Sequence, residues 1–296
     1  MNHNQTSWRH HYIPQFYLNG FTSNGKFKIY DVQEKTFIKN GIDFSPRSYF
    51  FEKDSNTLFN DEGEGTDFIE DVYKELDGKV AEVFNRINNA SSENQYNIND
   101  NDIALLQYFI GLMYWRVPSN FHKIEKMVSE KELKSLGLIL RNDKGEQVFD
   151  AEIESKIKNN PSFCNPMKFL IASISYTELF KCKTPLHISP FPKGFPFICS
   201  DNPIICRNPD TFRVYSDDFI FPLNSTLIFT RGQKIIDYRS TLKVEIDLLT
   251  YKQAKKYVSY TDIRYIQMLD SLFENSYKNL DDLRFSIFRQ LLGYKV

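Results

Sequence analysis

Two short stretches concentrate the side chains that could do chemistry. The first is Arg9-His10-His11-Tyr12-Ile13-Pro14-Gln15-Phe16-Tyr17-Leu18, where two of the chain's five histidines stand together ahead of a proline and an aromatic run. The second is Phe197-Ile198-Cys199-Ser200-Asp201-Asn202-Pro203-Ile204-Ile205, an apolar stretch interrupted by four turn-forming residues. Imidazole and carboxylate are ligand types for a divalent cation such as manganese, zinc or magnesium. His11 and Asp201 are the expected metal pair. Glu70 at the start of one helix adds a carboxylate. Arg116 at the end of another adds a fork-shaped donor for phosphate or carboxylate. Together His10, His11, Glu70, Arg116 and Asp201 suit metal-assisted phosphodiester hydrolysis, with metal-activated water as nucleophile. Gln15, Ser200 and Asn202 stand in the same two motifs as binding candidates.

The same residues have a plainer reading. Asp and Asn bond their own backbone in turns, and Pro203 pushes Asn202 toward extended geometry. Asp201 then caps a turn, one histidine is a hydrogen-bonded core residue, and Glu70 pairs with Arg116, since ion-pair networks imitate active sites. No His-Glu-x-x-His, Gly-x-Ser-x-Gly, phosphate-binding loop or dinucleotide fingerprint is present. His122 reads as a solvated helix residue and His187 as structural. Cys199 and Cys206 read as small buried hydrophobes, and the lysines at 252, 255 and 256 as a solvated helix face.

The elements that must position these groups follow from periodicity. Residues 25–32 and 36–39 alternate and predict a hairpin, with a third strand at 48–51. Thr66 is the expected cap of a helix over 67–88, whose apolar residues recur at three- and four-residue steps. A second helix starts near Asp100 and ends before Pro118. Further helices are expected over 119–136, 152–158 and 167–181. From Pro185 short β segments separated by turn residues predict a mixed sheet over 185–231, including 195–199 and 213–215, with 227–229 buried on both faces. Helices return over 247–258 and 263–275 and close the chain. The N-terminal aromatics predict a buried anchor at Tyr12, Phe16 and Leu18. The fold class is α+β: a helical N-terminal and middle part with a small β-hairpin, the mixed sheet, and C-terminal helices. It forms a single compact unit over 1–296, with a sub-boundary near 184.

At 296 residues, 41% hydrophobic and 25% charged, the composition is globular, and 37 Lys plus Arg against 38 Asp plus Glu give a net charge of −1. That balance marks neither a nucleic-acid nor a membrane protein as a whole, although a local basic patch is compatible with it. No run of about 18 apolar residues exists, so no membrane span is expected. The N-terminus has no apolar signal region. Cys164, Cys182, Cys199 and Cys206 form no Cys-x-x-Cys pair, which argues against a zinc knuckle. A reduced, cytoplasmic protein is expected.

His-His-Tyr-Ile-Pro-Gln at 10–15, Ile69-Glu70, Arg116-Val117-Pro118 and Ser200-Asp201-Asn202-Pro203 occur in this order. With these motifs the chain resembles the bacterial family called domain of unknown function 4238 over nearly its whole length. The resemblance implies no established activity. The functional expectation is therefore a metal-dependent nuclease or phosphodiesterase, in the bacterial setting one of a defence or toxin system, acting on nucleic acid. The alternative is a non-catalytic module whose motifs line a pocket for a small anionic ligand or a partner chain. Convergence of His10 or His11, Glu70, Arg116 and Asp201 in one cleft is what favours a site.

Overall fold

A computed structural model describes the chain except residues 1–7, 60–64, 91–97, 132, 137–138, 140, 142–143, 148–150, 160–163, 177–183, 192–196, 233–239, 261 and 292–296. The first strand is already the His-His motif: β1 (Arg9–His11) pairs antiparallel with a later strand, and Pro14 then stands at the start of the short helix α1 (Gln15–Asn19). The expected hairpin is β2 (Ile29–Asp31) and β3 (Thr36–Phe37). The third strand begins later than its aromatic residues suggest. It is β4 (Phe51–Lys53), the partner of β1. A small pair, β5 (Leu58–Phe59) and β6 (Gly65–Thr66), leads into α2 (Phe68–Asn88).

Thr66 does not cap α2: it is spent in β6, the cap position is Asp67, and the Asp67 side chain makes no capping bond. The next helix, α3 (Asp100–Arg116), starts on a capping box between Asn99 and Asp102 and stops where Pro118 forbids another turn. Then come α4 (Phe121–Glu130), α5 (Ala151–Asn159) and α6 (Cys164–Ser175).

The β region holds β7 (Leu186–Pro190), β8 (Cys199–Ser200), β9 (Ile205–Cys206), β10 (Phe219–Pro222) and β11 (Leu227–Arg231). After it come α7 (Ser240–Lys252), β12 (Tyr257–Ser259), α8 (Ile263–Ser276) and α9 (Leu280–Leu291). The expected strand at 213–215 is a turn, and of the expected strand at 195–199 residues 195–196 lie outside the described residues. The helix expected over 247–258 starts and stops earlier, and its last residues form β12.

The fold is α+β, but its sheets are antiparallel and not mixed. One four-stranded sheet runs β7-β11-β10-β9; the other runs β3-β2-β12-β8 and recruits the N-terminal hairpin. The central strands of the first sheet are buried on both faces, and strand alternation divides the core in two. Phe219, Phe221, Leu227 and Phe229 face a cluster built with α1, α2, α3 and α6. Ile205, Ile220 and Ile228 face a second cluster built with α7, α8 and α9. Successive residues point to opposite faces, so an apolar run without alternation is what a strand between two helical layers requires.

The N-terminal segment is an anchor. Ile13, Tyr17 and Leu18 are fully buried, Tyr12 nearly so, and Phe16 packs on Phe84 and Phe109 at ring distances of 5.3 and 5.4 Å. Tyr17 donates its hydroxyl proton to the Pro222 carbonyl at 2.9 Å and stacks on Phe221 at 5.1 Å, which pins α1 to the end of the sheet. Gly20 lies so close to that edge that a Cβ there would stand 2.8 Å from the Asn224 Cβ. Among the described residues no helix is long and apolar enough to cross a membrane. Cys164, Cys199 and Cys206 carry free thiols, and Cys182 lies outside the described residues.

Candidate functional site

Alternation along β1 decides what each histidine does. His10 points inward and is completely buried, whereas Arg9 and His11 lie toward a cleft of about 530 Å³. The Nδ1 of His10 accepts the Asn56 backbone amide at 2.9 Å, so the ring's proton sits on Nε2, 4.0 Å from Asp67. Asn56 also donates through its side chain to Glu70 at 2.9 Å, and Asp67 accepts from the Thr57 hydroxyl at 3.1 Å. That engagement is why Asp67 does not serve the first-turn amides of α2. His10 is thus a buried connector between the 54–57 turn and the start of α2.

Arg116, the last residue of α3, is buried and heavily engaged. One terminal nitrogen reaches both Asp77 oxygens at 3.0 and 3.2 Å, and the other donates to the His11 carbonyl at 2.8 Å. Its guanidinium lies 4.1 Å above the Tyr73 ring. Burial works against the charge, but Asp77, Tyr73 and Glu70 outweigh it and hold the pKa above its ordinary value. The guanidinium Nε is buried and has no partner.

The cleft is lined by Arg9, His11, Gln15, Arg47, Glu70, Lys74, Asp77 and Arg116 among others. The residues Glu70, Lys74, Asp77 and Ala81 recur at three- and four-residue steps, so α2 supplies one polar stripe along it. The basic groups Arg9, Arg47, Lys74 and Arg116 oppose two carboxylates, 4 − 2 = +2 with His11 neutral. Both carboxylates are already committed, Asp77 to Arg116 and Glu70 to Asn56. Arg9 lies over Trp8 and Phe51, 4.5 and 5.1 Å from their ring centres, and makes no ion pair among the described residues. The His11 pKa is lowered to about 4 by burial first and then by Arg116, with the Arg47 backbone pulling the other way. Its Nε2 is buried without a partner, so at neutral pH an uncharged imidazole stands beside Arg116 and Arg9.

The structure brings His11, Gln15, Glu70 and Arg116 together, with His10 one shell behind. It does not bring Ser200, Asp201 or Asn202 to this cleft. The Asp201 carboxylate accepts the backbone amides of Lys255, Lys256 and Tyr257 at 2.9, 2.7 and 3.0 Å. Burial raises its pKa while those three amides work against the rise. Asn202 exchanges bonds with Gln253 at 3.2 and 2.6 Å, and the Ser200 hydroxyl accepts the Asn202 amide at 3.2 Å. Ser-Asp-Asn-Pro is therefore the clasp that folds the α7–β12 connection and sets β12 against β8. The expected metal pair of His11 and Asp201 is corrected on this ground: the acid is filled by amides and lies off the cleft. Among the described residues no group of three or more His, Cys, Asp and Glu is arranged to hold a metal ion.

The two motifs still communicate. Tyr12 packs on Phe50 at 6.4 Å, Phe50 on Tyr257 at 5.9 Å, and the Asp201 charge adds to burial in pushing the Tyr12 hydroxyl far above its usual pKa. An aromatic bridge, not a shared cation, joins them.

Asn56, Asp67, Arg47 and Asp77 belong to this region without having stood out in the sequence. Asp77 and Lys74 left a signal in their helical spacing from Glu70. Asn56 sits in a turn and Arg47 in the short 3-10 helix Pro46–Ser48, and neither left one.

A family model described as a protein of unknown function, DUF4238, matches residues 9–285. No curated protein and no solved structure matches the chain.

Proposed function

We propose, for a chain that belongs to the DUF4238 family and takes no activity from it, that the cleft at β1 binds a phosphate-bearing ligand. One observation carries this reading: Arg9, Arg47 and Lys74 converge there on Arg116, while Asp77 is taken up by Arg116 and Glu70 by Asn56, so no carboxylate of the cleft answers the two exposed arginines. Arg9 and Arg47 are exposed and make no ion pair among the described residues, so their donors can reach a ligand. Lys74 makes an exposed bridge to Asp71 at 3.2 Å, which a stronger anion can displace. Guanidinium groups match phosphate in geometry as well as charge. Burial first and Arg116 second hold His11 neutral, and a bound phosphate would offset the second of these. A second reading, cleavage of a phosphodiester, is supported by the uncharged His11, whose Nε2 has no partner although it is buried beside the cleft. In it His11 takes a proton from attacking water while the arginines hold the phosphate.

Calorimetric titration of the full chain with inorganic pyrophosphate tests the binding reading. Saturable binding that weakens about tenfold in Arg9→Ala and Arg47→Ala is expected, because each removes a charge-assisted contact. Binding that neither variant changes would refute it. Release of product from a model phosphodiester, lost in His11→Ala with binding retained, separates the second reading from the first.

A further inference from the structure

A second cavity, about 780 Å³, lies on the opposite helical layer between the loop after β9 and helix α9. Its charged residues are Arg207, Asp210, Asp281, Arg284 and Arg289, and Phe285 stands at its rim. Arg284 is the unusual member. It is buried at 6% exposure, yet it makes no ion pair among the described residues. One terminal nitrogen donates to the Cys206 carbonyl at 2.6 Å and fastens α9 to β9, while its Nε is buried with no partner. Burial lowers the pKa of this guanidinium; Cys206, Asp281 and Asp210 oppose the fall without cancelling it. A buried cation that no carboxylate contacts is an incomplete arrangement, and an external anion completes it.

The surroundings define the anion. Arg207, Arg284 and Arg289 against Asp210 and Asp281 leave 3 − 2 = +1 in the cavity. Arg207 has an outlet at Asp218, 3.5 Å away, whereas Arg289 makes no ion pair among the described residues. Residues 281, 284, 285 and 288 line the cavity at helical three- and four-residue steps, so α9 presents carboxylate, guanidinium and ring on one face. Phe285 is 66% exposed, although a phenylalanine on an amphipathic helix ordinarily turns inward. We propose that this cavity binds a small organic phosphate carrying an aromatic ring, in class a nucleoside monophosphate. Arg284 and Arg289 take the phosphate, Phe285 takes the face of the base, and Asp210 and Asp281 accept from hydroxyl or amino groups. The volume suits a ligand of that size. The site is separate from the β1 cleft and does not depend on it.

Calorimetry of the full chain with adenosine 5′-monophosphate, adenosine and inorganic phosphate tests the proposal. One-to-one binding of the nucleotide is expected, tighter than either fragment. Arg289→Ala is expected to weaken it about tenfold by removing a charged donor. Phe285→Ala is expected to weaken the nucleotide but leave inorganic phosphate unchanged. Both positions are exposed, so the fold survives. Arg284→Gln should abolish binding, but it also removes the bond to Cys206, so the two surface variants are the decisive ones. No saturable binding, adenosine binding as tightly as its phosphate, or indifference to both variants overturns the proposal. Loss of binding in Arg9→Ala alone would move the ligand to the β1 cleft and overturn it equally.

Discussion

Replacing Asp201 by Ala separates a clasp from a catalytic acid. In the structure its carboxylate holds three consecutive backbone amides, at residues 255, 256 and 257. A hydrogen bond to a charged group contributes roughly 1.5–3 kcal/mol, so three give an upper bound of about 4.5–9 kcal/mol. Lys255 and Lys256 are exposed, so water can replace the carboxylate at those two amides. The Tyr257 amide opens β12, whose next two residues are buried, and recovers less. Asp201→Ala is therefore expected to lose about 3–4 kcal/mol. For a chain of this size that is a fall in Tm of about 6–10 °C. Asp201→Asn keeps one acceptor oxygen and is expected to lose about half as much. Thermal and urea unfolding followed by circular dichroism measure both. In the ligand titrations the folded fraction of either variant should bind pyrophosphate as the parent does. An Asp201→Ala protein with an unchanged melt and no ligand binding would refute the clasp and return Asp201 to the site.

Three further outcomes follow from the same geometry. Arg116→Met leaves Asp77 without its partner and cuts the tie to the His11 carbonyl, so a loss of about 3–5 kcal/mol is expected in urea unfolding; Asp77→Asn, which keeps an acceptor, should lose less. The His11 pKa is depressed in the fold, so the unfolded chain binds the extra proton. Stability is then complete above pH 6.5 and falls as pH drops toward 4, by about 1–2 kcal/mol once screening of this half-buried ring is allowed for, and His11→Gln should flatten that slope. Tyr17→Phe removes the hydroxyl bond to Pro222 and leaves a buried carbonyl unmet, a loss of about 1–2 kcal/mol with the ring packing kept.

Much of this was legible in residue order, and the limits have physical causes. Helix α3 was readable at both ends because Pro118 leaves no choice and the polar Asn99-Asp100 start is a local signal. Strand β11 was readable because an apolar run with no alternation has one use, burial on both faces. The strands β1, β4 and β12 were not, since each is three residues long and is defined by its partner: Arg9–His11 by Phe51–Lys53, Tyr257–Ser259 by two distant strands. Convergence was half legible. Arg116 and the histidine motif do meet, through a backbone carbonyl that no residue type announces. Asp201 was drawn toward the site by its chemical type, but three amides elsewhere in the chain had the stronger claim. Asp77, not Glu70, became the partner of Arg116. Both lie on the same stripe of α2, and their spacing alone does not choose between them.

The most direct test of the β1 cleft as a phosphate site is the titration of His11 itself, followed by NMR of its ring resonances with and without inorganic pyrophosphate. In the free protein its pKa should lie near 4. Burial, the first cause of the depression, remains, but pyrophosphate bound beside Arg116 and Arg9 offsets their charge, and the pKa should rise from there toward the ordinary histidine value. A His11 titration unmoved by saturating pyrophosphate would contradict the claim and place the anion elsewhere on the molecule.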